Sequence, residues 1–296
     1  MPAAITIITD PYGNDWPLDG TNGYWEAQGK KGFHGVSYQH YRDDSPMVAG
    51  SFWRGVRALP RDLFLPIVIR DTDRNACLAK RRALVKALSP AKGGECIIMS
   101  AYPDGSTRRI RCRYVDGFPD GEQGPGEYGV TVYKYGLRFM ADDPYFYTDT
   151  ITNEYSLAPQ TRTELPIPGA DTYFEVVSSP LLASGSIIDN LGDVDAYPTW
   201  TFVGPFSQII ATNTESGKTF TIQYAATSSA NTLSLVTEPG ESYLVDENGV
   251  NRWNALVAGY QLWPLVSGEN VVNVGLTDPT TDSKAIIRYT PLYEGD

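Results

Sequence analysis

Apolar and polar residues alternate with a period of two along much of this chain, the signature of strands that bury one face. Phe220, Ile222 and Tyr224 alternate with Thr219, Thr221 and Gln223. Val272, Val274 and Leu276 repeat the pattern, as do Ala285, Ile287 and Tyr289. Leu63 to Ile69 is a compact apolar run and reads as a buried strand. Cys96–Tyr102 and Thr107–Tyr114 flank Asp104-Gly105, a hairpin turn signal. In the second of these strands Ile110, Cys112 and Tyr114 fall on one face, and Arg109, Arg111 and Arg113 on the other. Tyr128–Phe139 reads as a further long strand.

One stretch departs from this period. Ala76–Leu88 holds good helix formers without Gly or Pro. Asp73 is placed to cap its first turn, and Pro90 with Gly93-Gly94 stops it. The pattern predicts a helix over about 74–88, with Cys77, Leu84 and Leu88 on its inner face. Residues 1–60 are rich in turns and hold only short strands; residues 148–172 are polar, carry prolines and read as a linker.

Composition supports a β-rich body. Gly and Pro number 28 and 21 in 296 residues and are scattered, as expected where many strands are joined by turns. Hydrophobic residues make up 42%, enough for real cores. The net charge of −11 is uneven: residues 1–150 carry +1 and residues 151–296 carry −12. Such asymmetry predicts two domains with different neighbours, 1–150 and 151–296, the boundary falling between 148 and 185. The acidic half would repel phosphates, which argues against nucleic acid. No signal peptide or bilayer-length apolar segment is seen, so folding in a cytoplasm without a membrane partner is expected. Cys77, Cys96 and Cys112 are an odd set and are expected as free thiols.

Chemistry is sparse. His34 and His40 are the only histidines, without zinc-helix spacing, and no Cys-x-x-Cys pair or Gly-x-Ser-x-Gly elbow occurs. Gly124-Pro-Gly126-Glu-Tyr-Gly129 matches a dinucleotide fingerprint, but a strand follows where a helix is required. Gly217-Lys218-Thr219 lacks the earlier glycine of a phosphate loop. The acidic pairs Asp71 with Asp73, Asp142 with Asp143, and Asp193 with Asp195 match no complete calcium loop and read as solvated surface. The expectation is no enzyme, cofactor or metal. Two constellations remain as candidates. Arg109, Arg111 and Arg113 form either a docking surface for an acidic partner or the wet face of a sheet. Trp253, Tyr260 and Trp263 could stack on sugar rings or belong to a core.

The order of motifs resembles the distal tail protein family of long-tailed phages with non-contractile tails, especially those of actinobacterial hosts. The likeness begins with Gly50-Ser-Phe-Trp-Arg-Gly55, Leu63-Phe-Leu-Pro-Ile-Val-Ile69 and a helix ending Lys86-Ala-Leu-Ser-Pro90. The Asp104-Gly105 hairpin and Leu137-Arg-Phe-Met-Ala-Asp-Asp-Pro-Tyr145 follow. Asn190-Leu-Gly192, Ala196-Tyr-Pro-Thr-Trp200, Gly204-Pro205, Leu262-Trp-Pro-Leu265 and Gly268-Glu-Asn270-Val-Val-Asn-Val274 continue it.

The resemblance implies a mainly β chain: an N-terminal β-sandwich with one helix that forms a ring, and a C-terminal galectin-like or jelly-roll β-sandwich. It implies a structural virion protein of the tail tip, assembled in the host cytoplasm. Its homohexameric ring would join the tail tube protein to the baseplate hub and adjoin the tape-measure protein. No catalytic residues come with the family. A carbohydrate-binding adhesion module for host surface glycans is the alternative. A glycoside hydrolase is the third reading, though its two carboxylates are not identifiable from sequence.

Overall fold

The structure, a computed structural model, describes residues 4–44, 47, 49–92, 94–118, 131–156, 163–166, 173–176 and 181–296. The Gly124–Gly129 run and the start of the expected 128–139 strand lie outside these. The chain is mainly β, with one α-helix among the described residues, and it divides into two compact units. Unit 1 comprises residues 1–148 and 293–296; unit 2 comprises residues 149–292.

Unit 1 contains β1 (Ile5–Thr9), β2 (Asp15–Pro17), β3 (Tyr24–Glu26), β4 (Tyr38–Asp44), β5 (Ser51–Ala58) and β6 (Arg61–Arg70). Helix α1 (Arg74–Ala87) follows, then β7 (Cys96–Ala101), β8 (Thr107–Asp116), β9 (Val132–Ala141) and β10 (Phe146–Tyr147). Seven of the strands form an antiparallel sheet in the order β2-β1-β7-β8-β9-β6-β3. Its two ends meet. Asp19 bridges to Trp25, and the Glu26 N–H donates to the Leu18 carbonyl at 2.9 Å. The sheet thereby closes around one core and hides its edges, as small barrels do.

Inward-facing residues alternate as the period of two requires. Leu63, Leu65, Ile67 and Ile69 of β6 are buried with Ile98, Ile110, Leu137 and Phe139. Helix α1 adds Leu84, with Leu88 just beyond its end, to the same core. Asp73 caps the helix by accepting from the Ala76 N–H at 2.9 Å. The Asp104-Gly105 turn is closed by the Gly105 N–H donating to the Tyr102 carbonyl, with Gly105 at φ 87°. One hairpin stands apart: β4 and β5 pair with each other and with no other strand among the described residues.

Unit 2 is a two-sheet sandwich. One sheet has the order β11 (Ile151–Ser156), β21 (Lys284–Tyr289), β15 (Thr199–Val203), β18 (Thr232–Val236), β19 (Tyr243–Asp246). The other runs β14 (Leu181–Asn190), β20 (Gly268–Thr277), β16 (Phe206–Asn213), β17 (Thr219–Ala226). A short ladder joins β12 (Thr163–Pro166) to β13 (Tyr173–Val176). Both sheets feed one core, with Trp200, Phe202 and Ile287 from the first and Phe220, Ile222, Val272 and Val274 from the second. The stretch expected as a linker is partly a strand. Ile151–Ser156 pairs antiparallel with Lys284–Tyr289. Its faces alternate only between half-buried and exposed, because it is an edge strand, and that muted pattern hid it in the sequence.

Candidate functional site

The β4–β5 hairpin is the most unusual surface of unit 1. Every residue of β4 is exposed, and on β5 only Gly55 and Ala58 are partly covered. Register pairs Tyr38 with Ala58, His40 with Val56, Arg42 with Trp53 and Asp43 with Phe52, with a bulge between Tyr41 and Arg42. Alternation therefore puts Tyr38, Val56 and Trp53 on one face, and Tyr41 and Phe52 on the other. Trp53 is 62% and Phe52 53% exposed. Four aromatics left about half open give roughly 200 Å² of aromatic surface on each face. Patches of a few hundred Å² on a monomer mark interaction sites, and a lone two-stranded hairpin is marginally stable in water. Gly50-Ser-Phe-Trp-Arg-Gly55 carries part of the family resemblance, but the hydrophobic pattern does not mark Phe52 and Trp53 as a surface. Phe52 and Trp53 are adjacent, so they point to opposite faces and break any one-sided alternation.

The root of the hairpin is tied to the returning C-terminal residues. The Tyr38 hydroxyl donates to the Glu294 carboxylate, which pushes the Tyr38 phenol up to about 12. Arg61, at the start of β6, is buried. It donates from Nη2 to the Glu294 carbonyl at 2.6 Å and from Nη1 to the Gly32 carbonyl at 3.1 Å, beside the Phe146 ring. Burial pulls its guanidinium below the usual arginine range, against the nearby Asp296 and Glu294 charges. The Asp296 side chain is 2% exposed and accepts from Lys30 Nζ at 2.9 Å and Ser100 Oγ at 3.0 Å. His34 Nδ1 lies 3.1 Å from its other oxygen. His34 thus belongs to the structural network around Asp296, while His40 sits exposed on the hairpin.

The arginine face of β8 is real but largely neutralised. Arg111 and Arg113 are exposed, and Arg109 is half-buried opposite Tyr147. Arg113 forks between Asp142 and Glu95, the latter at 3.0 Å. Arg111 lies over the Tyr147 ring, 5.2 Å from its centroid. A cleft of about 180 Å³ here is lined by Arg111, Arg113, Glu95, Asp142, Asp143 and Tyr145, so three carboxylates face two guanidiniums. A phosphate or an acidic surface would meet those carboxylates first. The Asp71 and Asp73 pair is absorbed in structure, since Asp71 pairs with Lys80 at 3.0 Å and Asp73 caps α1, whereas Asp193 and Asp195 are exposed. Among the described residues no group of three His, Cys, Asp or Glu could hold a metal ion, and no helix is long and apolar enough to cross a membrane.

The three aromatics of unit 2 separate. Trp263 is 1% exposed and packs edge-on to Trp200 at 5.3 Å, so no face of it is open to a sugar. Its core position follows from the apolar Leu262–Leu265 run. Trp253 is half-buried in a single 3₁₀ turn, and Tyr260, 38% exposed, meets it edge-to-face at 5.7 Å.

No protein-family model matches this sequence, and no curated protein matches it. Solved structures do. The crystal structure of the Dit protein (gp 19.1) of phage SPP1, described as a paradigm of the hub adsorption apparatus in phages infecting Gram-positive bacteria, aligns with a TM-score of 0.64. The match covers 97% of this chain and 98% of that one, at 15% identity. The phage P2 baseplate in its activated conformation aligns at 9% identity, with TM-scores of 0.48 for the calcium form and 0.46 for the strontium form. These cover 98% and 97% of this chain, and 98% of the neighbour in each case. The chain thus shares the fold of the SPP1 Dit protein.

Proposed function

We propose that this chain is a structural protein of a phage tail tip, unit 1 closing into a homohexameric ring that joins the tail tube to the baseplate hub. The carrying observation is the β4–β5 hairpin, which pairs with no strand of the closed sheet among the described residues and whose apolar side chains stand open on both of its own faces. A catalyst has no use for such an arm, whereas a subunit that must grip neighbours does. The shared fold with SPP1 Dit supports the same reading. The ring would adjoin the tape-measure protein at its lumen and form in the host cytoplasm. Residues 1–150 carry +1, so six copies crowd without strong repulsion. Residues 151–296 carry −12 and are best spread outward as galectin-like modules.

Native mass spectrometry and axial electron-microscopy views of the full chain test this reading. Six subunits around a hole are expected. A monomer at every concentration up to tens of micromolar, in the presence of the tube and hub proteins, overturns it. A glycan-binding role for unit 2 rests on the Trp253–Tyr260 pair alone. Loss of binding to host-wall glycans on Trp253→Ala would establish it, and equal binding by that variant would end it.

A further inference from the structure

We infer that Lys30 and Asp296 condense into an amide cross-link, Nζ to Cγ, with Glu26 as the base. The inference stands apart from the ring reading, and either can fail without the other.

The parts of an acyl transfer converge at this point of unit 1. The electrophile is the Asp296 carboxyl, whose side chain is 2% exposed. The Asp296 N–H donates to the Phe33 carbonyl at 2.9 Å, which fixes the main chain. The nucleophile is the Lys30 amine. Its Nζ lies 2.9 Å from Asp296 Oδ2 and 5.0 Å from the centroid of the fully buried Phe33 ring. Lysine amines are activated by desolvation and by neighbouring cations; His34 and Arg61 both act on the same carboxylate. Glu26 brings a second carboxylate. Its Oε1 is 4.0 Å from Lys30 Nζ, and its Oε2 accepts from the Thr6 hydroxyl. Two further groups hold the Asp296 oxygens: Ser100 Oγ, fully buried, donates to Oδ2 at 3.0 Å, and His34 Nδ1 stands 3.1 Å from Oδ1. The pairs Lys80–Asp71 and Lys284–Glu154 are as close, at 3.0 and 2.7 Å, but neither carboxylate is as buried.

The ion pair in the structure is the state before reaction. One Nζ proton crosses the hydrogen bond to Oδ2, leaving an amine and a carboxylic acid. Nζ then attacks Cγ, and charge builds on Oδ1, where His34 meets it. Glu26 takes a second Nζ proton and hands it to the departing oxygen. The Cγ–Oδ2 bond breaks, and that oxygen leaves as water. Ammonium plus carboxylate thus give amide plus water, with no oxidant or other reactant. His34 is 75% exposed, so the water has a way out. The product replaces two mostly buried charges with a neutral amide and removes the desolvation cost of the pair. The link joins residues 266 positions apart and closes a covalent loop that contains all of unit 2. A pull on unit 2 then cannot peel residues 293–296 from unit 1.

Intact-mass spectrometry of the full chain, incubated at neutral pH and then denatured, tests this, with tandem sequencing of its tryptic peptides. Wild type should be lighter than its sequence by one water, with Lys30 and Asp296 joined in one branched peptide. Lys30→Arg keeps the ion pair but cannot give up its proton, so it should hold the full sequence mass. Glu26→Gln should form the link about 100-fold more slowly or worse, as loss of a general base predicts. Both variants should keep the wild-type circular dichroism, which separates lost chemistry from lost folding. Wild type at its full sequence mass overturns the inference. So does a water loss that persists in Lys30→Arg, the mark of a succinimide at an Asp-Gly step such as Asp19-Gly20 or Asp104-Gly105. A link formed at the wild-type rate in Glu26→Gln overturns the assignment of the base.

Discussion

Replacing Asp296 with Ala should unfold unit 1 early. Its carboxylate is buried and holds Lys30 at 2.9 Å, Ser100 at 3.0 Å and His34 at 3.1 Å. Breaking a fully buried pair by removing one partner costs about 3–5 kcal/mol. That figure must be discounted, because Lys30 is one-fifth exposed and His34 three-quarters exposed, so water recovers part of their solvation. Adding the lost Ser100 hydrogen bond at about 1 kcal/mol gives an expected cost of about 2–3 kcal/mol. For a domain near 150 residues this corresponds to a fall of roughly 4–12 °C in Tm. Calorimetry of the full chain reads it, with the unit 2 transition as an internal reference. A double-mutant cycle with Lys30→Met should return a coupling of about 1 kcal/mol or more, since both groups share one network. An Asp296→Ala midpoint within 0.5 °C of wild type, or a coupling indistinguishable from zero, would refute the reasoning.

Other consequences follow from the buried groups of both units. All three cysteines are buried and free, and burial pushes the Cys96 thiol up to about 11 and Cys112 well above its ordinary value. Native protein should therefore react slowly with alkylating reagents, and denatured protein should show three reactive thiols without a reductant. Burial would raise the Asp10 and Asp246 carboxylates, but hydrogen bonds outweigh it and hold both below the ordinary value. Asp10 accepts from Asn14, Trp16 and Tyr12; Asp246 accepts from Val250, Arg252 and Asn248. Since the folded pKa lies below the unfolded one, their contribution is complete above the ordinary aspartate value of about 3.9 and is lost as pH falls below it. Denaturation midpoints should drop below pH 4 in wild type, and less steeply in an Asp10→Asn variant. Gly32 sits at φ +84°, and a Cβ there would lie 2.1 Å from the Asp62 carbonyl oxygen. Gly32→Ala should cost about 2 kcal/mol or more, since backbone stands in the way.

Where one face of an element is fully buried, its residues declare it. Helix α1, the Asp104-Gly105 turn and the alternating strands β17, β20 and β21 are all legible, because Leu84, Ile222, Val274 and Ile287 repeat at the period of their element. Elements with no fully buried face are silent. Strand β11 alternates only between half-buried and exposed, and β4 with β5 carries apolar side chains on both faces at once. Contacts distant in sequence were equally hidden, as no local pattern links Lys30 or Arg61 to residues 294–296. The arginine alternation of β8 was visible, but the carboxylates that answer it, Glu95 and Asp142, come from other segments.

The return of residues 293–296 to unit 1 sets an order of events during synthesis. At about 5–20 residues per second, a ribosome spends roughly ten seconds or more on the segment between the two parts of unit 1. Throughout that interval Lys30, Ser100 and Arg61 lack their terminal partners, and Tyr38 lacks the acceptor that steadies the arm. Unit 1 therefore completes its own network of ion pairs and hydrogen bonds only after the whole of unit 2 has been made.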